Sequence, residues 1–222
     1  GEPGPLPALR NGYLTLGTLT RAVRLNDRML RVWAEILQRL PQARLAVDSR
    51  SFVDAAAQAA LRERFAALGI APDRLQVGFH SPPWDVLRGM DIGLDCFPHN
   101  SGTTLFESLY LGVPFVTLAG RPSVGRLGSS ILHGVGHPEW IAEDEEAYIA
   151  KVVALASDLA ALAATRAALR PRMQASPLMD EAGFARAAES ALRTMFARWT
   201  AGDAHPLVAL VPCSHPLAKR EV

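Results

Sequence analysis

Asp91-Ile92-Gly93-Leu94-Asp95-Cys96-Phe97-Pro98-His99-Asn100-Ser101-Gly102-Thr103-Thr104-Leu105-Phe106-Glu107 is the stretch on which the reading of this chain turns. An apolar run ends at Cys96 and a polar loop follows. Small hydroxyl residues then open a segment with helical spacing from Thr103 to Leu111, stopped by Gly112. Directly after it, Pro114 to Leu118 is short and apolar again. Strand, loop, helix and strand in this order form one unit of a parallel sheet.

The same alternation extends outward in both directions. Tyr13 to Leu16, Arg44 to Val47 and Leu75 to Phe79 read as further strands. Asn26 can cap a helix from Asp27 that places Met29, Leu30, Trp33, Ile36, Leu37 and Leu40 on one face and ends at Pro41. Ser51 to Leu68 reads as a second helix, and a short one follows Pro82 or Pro83. Helices are expected at Val124 to Gly134 and Glu143 to Ala156, with Ala-rich helices continuing to about Trp199. Strands that are short and apolar throughout are buried on both faces. The expected fold is therefore α/β, a Rossmann-like parallel sheet with helices on both faces. Residues 1–11 are rich in Pro and Gly and read as an extended linker from an N-terminal part that this chain lacks. Residues 12–200 are expected to form the lobe and 201–222 a poorly ordered tail.

Composition narrows the function classes. The 222 residues hold 23 Lys and Arg against 22 Asp and Glu, a net charge of +1. Such a balance gives no electrostatic reason to expect a nucleic-acid partner. No stretch is long and apolar enough to span a membrane, and no secretory signal opens the chain. Cys96 and Cys213 do not make a disulfide framework, and a reducing cytoplasm fits. His133 and His137 are four apart, but glycines interrupt the segment and no third ligand is evident, so no metal is expected.

Ligands of open parallel sheets bind beyond the carboxyl ends of the strands. Three strand-to-helix junctions are candidates here. In the quoted junction, His99, Ser101 and Gly102 precede the helix, and Gly102 lets a ligand approach the backbone. Free N–H groups and the positive end of the helix favour a phosphate, with Thr103 and Thr104 adding hydroxyls. Glu107 lies one turn on and can accept from the two hydroxyls of a ribose. The same residues also read as a plain N-terminal cap with a dipole-matching Glu, and spacing alone leaves both readings open. A second junction, Gly17 to Asn26, carries Thr18, Arg21 and Arg24, of which the arginines can reach a pyrophosphate. In the third, after Phe79, His80 can donate to a phosphate and Trp84 can pack on a base, although a structural His and a core Trp fit equally. A loop at Gly120 to Arg126 can line the same cleft. Neither a Ser-His-Asp arrangement, a P-loop nor a G-x-G-x-x-G pattern is present.

Taken together, Asp91 to Asp95, Phe97 to Thr104 and Leu111 to Leu118 resemble the C-terminal catalytic lobe of the O-GlcNAc transferases, above all bacterial members with tetratricopeptide repeats. Leu16-Gly17-Thr18, Arg24 and Trp33 to Leu37 are similar to that lobe's first strand and helix, and the likeness runs from about Gly12 to Trp199. The resemblance implies one lobe of a GT-B glycosyltransferase, with UDP-GlcNAc as donor, a protein Ser or Thr hydroxyl as acceptor, inversion at the sugar and no metal or other cofactor. It implies that Thr103 and Thr104 contact the diphosphate and that Glu107 takes the place of a ribose-binding carboxylate that is often Asp. Arg24 falls where the family has a diphosphate-holding Lys and is the expected catalytic residue. The segment from His80 to Trp84 departs from the family form and should neighbour the uracil. The acceptor is expected to be captured by N-terminal regions outside this chain, so the lobe alone is expected to transfer nothing. Two other readings stay open: a UDP-GlcNAc epimerase of GT-B type, and a degenerate non-catalytic nucleotide-binding or interaction module.

Overall fold

Six short strands, each a run of two to five residues, pair in parallel in a computed structural model that describes residues 1–202. They are β1 (Thr15–Leu19), β2 (Arg44–Asp48), β3 (Leu75–Gly78), β4 (Ile92–Leu94), β5 (Phe115–Leu118) and β6 (Ile141–Ala142), in the order β3-β2-β1-β4-β5-β6. Strand order reverses between β1 and β4, which pair through Leu16 and Ile92. That reversal opens a crevice at the carboxyl ends of those two strands, the place where doubly wound sheets bind ligands. The Rossmann-like fold expected from the alternation is the one present.

Nine helices cover the sheet or follow it among the described residues: α1 (Pro7–Asn11), α2 (Asp27–Arg39), α3 (Ala55–Ala66), α4 (Trp84–Arg88), α5 (Thr103–Tyr110), α6 (Leu127–Val135), α7 (Glu145–Ser157), α8 (Leu159–Gln174) and α9 (Glu181–Thr200). Two faces follow from the two-residue period of the strands. Leu16, Leu45, Val47, Ile92, Leu94, Val116 and Leu118 pack with α2, α3 and α7. Phe115 on the opposite face packs with Leu105 and Leu109 of α5, Ile131 and Leu132 of α6 and Leu169 of α8. In α2, Met29, Leu30, Trp33, Ile36 and Leu37 are all buried, as their spacing requires. Each such side chain contributes about 1.5–3 kcal/mol by leaving water. The chain divides into Gly1–Met179, which holds the whole sheet, and a unit from Asp180 onward in which Asp180 caps α9. Among the described residues no single helix is long and apolar enough to cross a membrane.

Several boundaries differ from the sequence reading for local reasons. The first strand begins at Thr15 because Thr15 to Leu19 is the segment that pairs with β2. Asp54 accepts from the Ala56 amide at 2.9 Å and so starts α3 at Ala55, after a separate 3-10 turn at Arg50–Phe52. A 3-10 turn also occupies Ser123–Gly125, and the helix expected from Val124 starts at Leu127. The two-residue β6 is too short to leave a periodic signal.

The opening segment needs a larger correction. Expected as an extended linker, residues 1–11 instead pack onto the lobe: Leu6 and Ala8 are buried and Pro7–Asn11 is helical. Its backbone is held by two buried charges. Asp91 accepts from the Ala8 amide at 2.9 Å and the Thr15 amide at 2.7 Å. Arg166 donates to the carbonyls of Pro3 at 3.1 Å, Gly4 at 3.2 Å, Arg88 at 2.8 Å and Met90 at 2.8 Å. Pro and Gly deny the segment regular structure, but side chains from elsewhere satisfy its backbone. Of the expected tail at 201–222, residues 203–222 lie outside the described residues. Arg166→Met should take the donor from four carbonyls, that of Met90 fully buried, and lose roughly 3 kcal/mol of stability in urea unfolding. A loss below about 1 kcal/mol would show that the segment is held by apolar packing alone.

Candidate functional site

Asp95, the first residue past β4, sets the loop that follows. It is fully buried. Its Oδ1 accepts from the Ser101 amide at 2.8 Å and its Oδ2 from the Thr117 hydroxyl at 2.7 Å. Asn100 is buried too: its amide side chain donates to the Cys96 carbonyl at 2.9 Å and accepts from the Gly128 amide at 3.3 Å. Asn26 caps α2 through the Met29 amide and donates to the Phe97 carbonyl at 2.7 Å. The loop is thus fastened at Phe97, Cys96, Asn100 and Ser101 from below, and its rim faces solvent.

Helix α5 starts at that rim with Gly102 as its N-cap and no side-chain cap. By contrast α2, α3, α7, α8 and α9 begin on Asn26, Asp54, Asp144, Asp158 and Asp180, each accepting a backbone N–H. The N–H groups at the start of α5 are therefore free of any side-chain acceptor. Thr103 is exposed, and Thr104 and Glu107 are half-buried. Burial raises the Glu107 carboxyl above its ordinary range.

Arg24 arrives from the other side of the crevice, at the end of a 3-10 turn Ala22–Arg24 after β1. Its Nη1 lies 3.5 Å from the Ser101 hydroxyl and its Nη2 3.4 Å from His99 Nε2. A guanidinium can only donate, so His99 accepts there. Arg24 Nε is buried without a hydrogen-bond partner. Arg24, His99, Ser101 and the α5 start thus converge at the reversal of strand order.

Other expected residues lie apart from this cluster. Thr18 is buried within β1, where Thr15 to Thr18 are buried without a break, and it does not reach the crevice surface. Arg21 is exposed. His80 sits at the β2–β3 end, where its Nδ1 meets Asp48 Oδ2 at 2.5 Å and its amide meets Asp48 Oδ1 at 3.1 Å. Trp84, 40% exposed, shares a cavity of about 360 Å³ with Arg88, Phe106, Glu107 and Tyr110, so it stands beside the expected ribose carboxylate. The Gly120–Arg126 loop packs on the main loop: Gly125 lies so close to the Pro98 carbonyl that a Cβ would stand 2.8 Å from it. Cys96 is buried and its thiol pushed up to about 12 by desolvation, so it is no nucleophile. His137 contacts Glu139 and Arg172 beyond the end of α6. Among the described residues no cluster of three His, Cys, Asp or Glu could hold a metal.

Sequence reasoning quoted Asp95 and Asn100 but gave them no part, and it passed over Asp48 and Thr117. An Asp closing an apolar strand was the available signal, since a buried carboxylate needs partners.

The sheet order and the loop at its reversal define a Rossmann-like nucleotide-binding lobe, the kind of which GT-B glycosyltransferases are built. Comparison with known proteins then places the chain: the profile of glycosyl transferase family 41 matches residues 15–187, and the chain belongs to that family. A rice (Oryza sativa subsp. japonica) protein described as probable UDP-N-acetylglucosamine–peptide N-acetylglucosaminyltransferase SPINDLY is 36% identical over 97% of this chain and 24% of its own length. The Arabidopsis thaliana protein of the same description is 36% identical over 91% of this chain and 23% of its own. A solved structure of a mutant O-GlcNAc transferase from Thermobaculum terrenum superimposes with a TM-score of 0.80 at 31% identity, covering 87% of this chain and 38% of that one. This chain spans about a quarter of the length of those curated plant relatives. The expected resemblance to O-GlcNAc transferases is thus the family found.

Gly128 stands where a Cβ would meet the Thr117 hydroxyl at 2.3 Å and Asp95 Oδ2 at 2.7 Å. Neither neighbour can retreat without breaking the hydrogen bond between them. Gly128→Ala should therefore cost about 1–3 kcal/mol, read as a lowered melting temperature. An unchanged melting temperature would mean that the Asp95–Thr117 contact is not formed as described.

Proposed function

We propose that this chain is the donor-binding half of a family 41 transferase that moves GlcNAc from UDP-GlcNAc to a Ser or Thr hydroxyl of a protein. The observation that carries this is the meeting of Arg24 with the uncapped start of α5 across the β1–β4 crevice. A cation with an unpartnered Nε and a set of free N–H groups converge there, and a diphosphate satisfies both. The printed descriptions of the relatives support the donor and the acceptor class.

The parts of the donor distribute themselves along α5. Its diphosphate sits on the N–H groups and hydroxyls of Thr103 and Thr104, within reach of Arg24. The ribose hydroxyls donate to Glu107, and the base enters the cavity beside Trp84 and Arg88. The acceptor oxygen attacks the anomeric carbon from the side opposite the diphosphate, with inversion, and gives up its proton to a base outside this chain. The bond from that carbon to the diphosphate oxygen breaks, and UDP departs with the electron pair. Arg24 and the α5 start stabilise the charge that develops on it. They do so without a metal, which is the reading we adopt for the whole reaction. Acceptor capture belongs to regions outside this chain, and a cytoplasmic setting is part of the proposal.

Calorimetric titration of the intact protein tests it. UDP and UDP-GlcNAc should bind and ADP should not; other nucleotide sugars in the same series read out base and sugar preference. The double variant Thr103→Val with Thr104→Val should weaken UDP binding about tenfold to a hundredfold, with the fold unchanged by circular dichroism. Arg24→Ala should lower kcat by about 10²–10³. Full affinity in the threonine variant would overturn the site, and binding without any transfer to protein would favour a non-catalytic module.

A further inference from the structure

We propose that Asp95 is a positioning residue that aims the Ser101–Thr104 helix start and takes up a proton when the donor's diphosphate settles above it. The inference rests on the donor-binding reading and adds a regulation of that site. Its basis is the partner set of the carboxylate. One oxygen accepts a backbone N–H from Ser101, the last residue before the α5 cap. The other meets a hydroxyl, that of Thr117. A hydroxyl both donates and accepts, whereas an N–H only donates. Asp95 can therefore be ionised, accepting from Thr117, or protonated, donating to it through Oδ2. The Ser101 amide stays bonded to Oδ1 in both forms. The network accommodates either charge state without moving the loop.

The groups around Asp95 leave it to respond to an anion. From the turn after β1 comes Arg24, which favours the ionised form. From α7 comes Tyr148, whose hydroxyl donates to the Asp95 carbonyl at 3.0 Å and is held protonated by burial. Cys96 on the loop itself is likewise neutral. From β5 comes the Thr117 hydroxyl, and Gly128 of α6 packs against the pair, neither of them a charged group. Desolvation carries the Asp95 carboxyl up to about 7. A diphosphate engaging Arg24 and the α5 start brings negative charge close to it and draws off the Arg24 support. Both effects raise the carboxyl further, so binding takes up a proton, and by reciprocity affinity rises as pH falls through the neutral range.

UDP-GlcNAc is the right probe, because each of its phosphorus atoms is doubly substituted and keeps one charge from pH 6 to 8, below the range in which the uracil N3–H ionises. Wild-type affinity should be about three- to fivefold tighter at pH 6 than at pH 8. Titrations at pH 7.5 in two buffers of different ionisation enthalpy count the protons taken up. Asp95→Asn keeps the shape and the Ser101 contact and should bind without uptake or pH dependence. His99→Asn replaces the imidazole that Arg24 touches across the crevice and should retain the uptake. Thr117→Val takes away a hydrogen bond that favours the ionised form and should move the midpoint of the pH profile upward, a readout available even if Asp95→Asn does not fold. Uptake that persists in Asp95→Asn, or wild-type binding that is flat with pH, overturns this inference and leaves the donor reading standing. Failure of the wild type to bind UDP-GlcNAc at all removes the donor reading and this inference with it.

Discussion

A carboxylate placed at the end of a parallel strand and shut away from water is destabilising by several kcal/mol unless other groups replace the lost hydration. Asp95 is in that position, and its replacements are the Ser101 amide and the Thr117 hydroxyl. Through them one side chain ties the end of β4 to β5 and to the loop that leads into α5. Gly128 is the consequence on α6, since only a residue without a side chain fits against that pair. The arrangement explains why the loop can turn its unbonded edge outward. Its inward edge is already fully engaged by Asp95, Asn100 and Asn26.

Helix capping makes the same point from the other direction. Among the described residues five helices begin on an Asn or Asp whose side chain accepts a backbone N–H, whereas α1, α4, α5 and α6 have no side-chain cap. Capping of that kind contributes about 1 kcal/mol. At α5 the position is Gly102, and that contribution is forgone at the crevice where the strand order reverses. An acceptor side chain at Gly102 would occupy the N–H groups that an anion needs. The cost to stability falls on one helix start, and the rest of the lobe, with its two packed faces, offsets it.

Much of this was readable before any coordinates. Apolar runs of strand length, separated by helical periods, are enough for a parallel sheet, and the junction from Asp91 to Glu107 carried the family likeness. What the sequence withheld was anything that depends on contacts between distant residues. Nothing near Pro3 or Gly4 signals that Arg166, far along the chain, will bond their carbonyls and turn an expected linker into part of the lobe. Thr18 stood next to plausible anion-binding residues, yet it is buried because β1 pairs on both sides, with β2 and β4, inside a sheet covered on both faces. His80 could have faced a ligand, but Asp48, at the carboxyl end of the neighbouring strand, claims its Nδ1. The pairing of strands decides each of these, and no local pattern reports it.

The resemblance implies a Lys where Arg24 stands, and the geometry shows what an Arg does in that place. A lysine ammonium is a point charge on a flexible stem, strongly hydrated and free to follow a phosphate. A guanidinium is planar, with donors in a fixed fork. Here the fork spans two groups of the opposite loop, with Nη1 toward the Ser101 hydroxyl and Nη2 toward His99. The cation is therefore oriented before any anion arrives, and part of the conformational entropy that a lysine would lose on binding is already spent in folding.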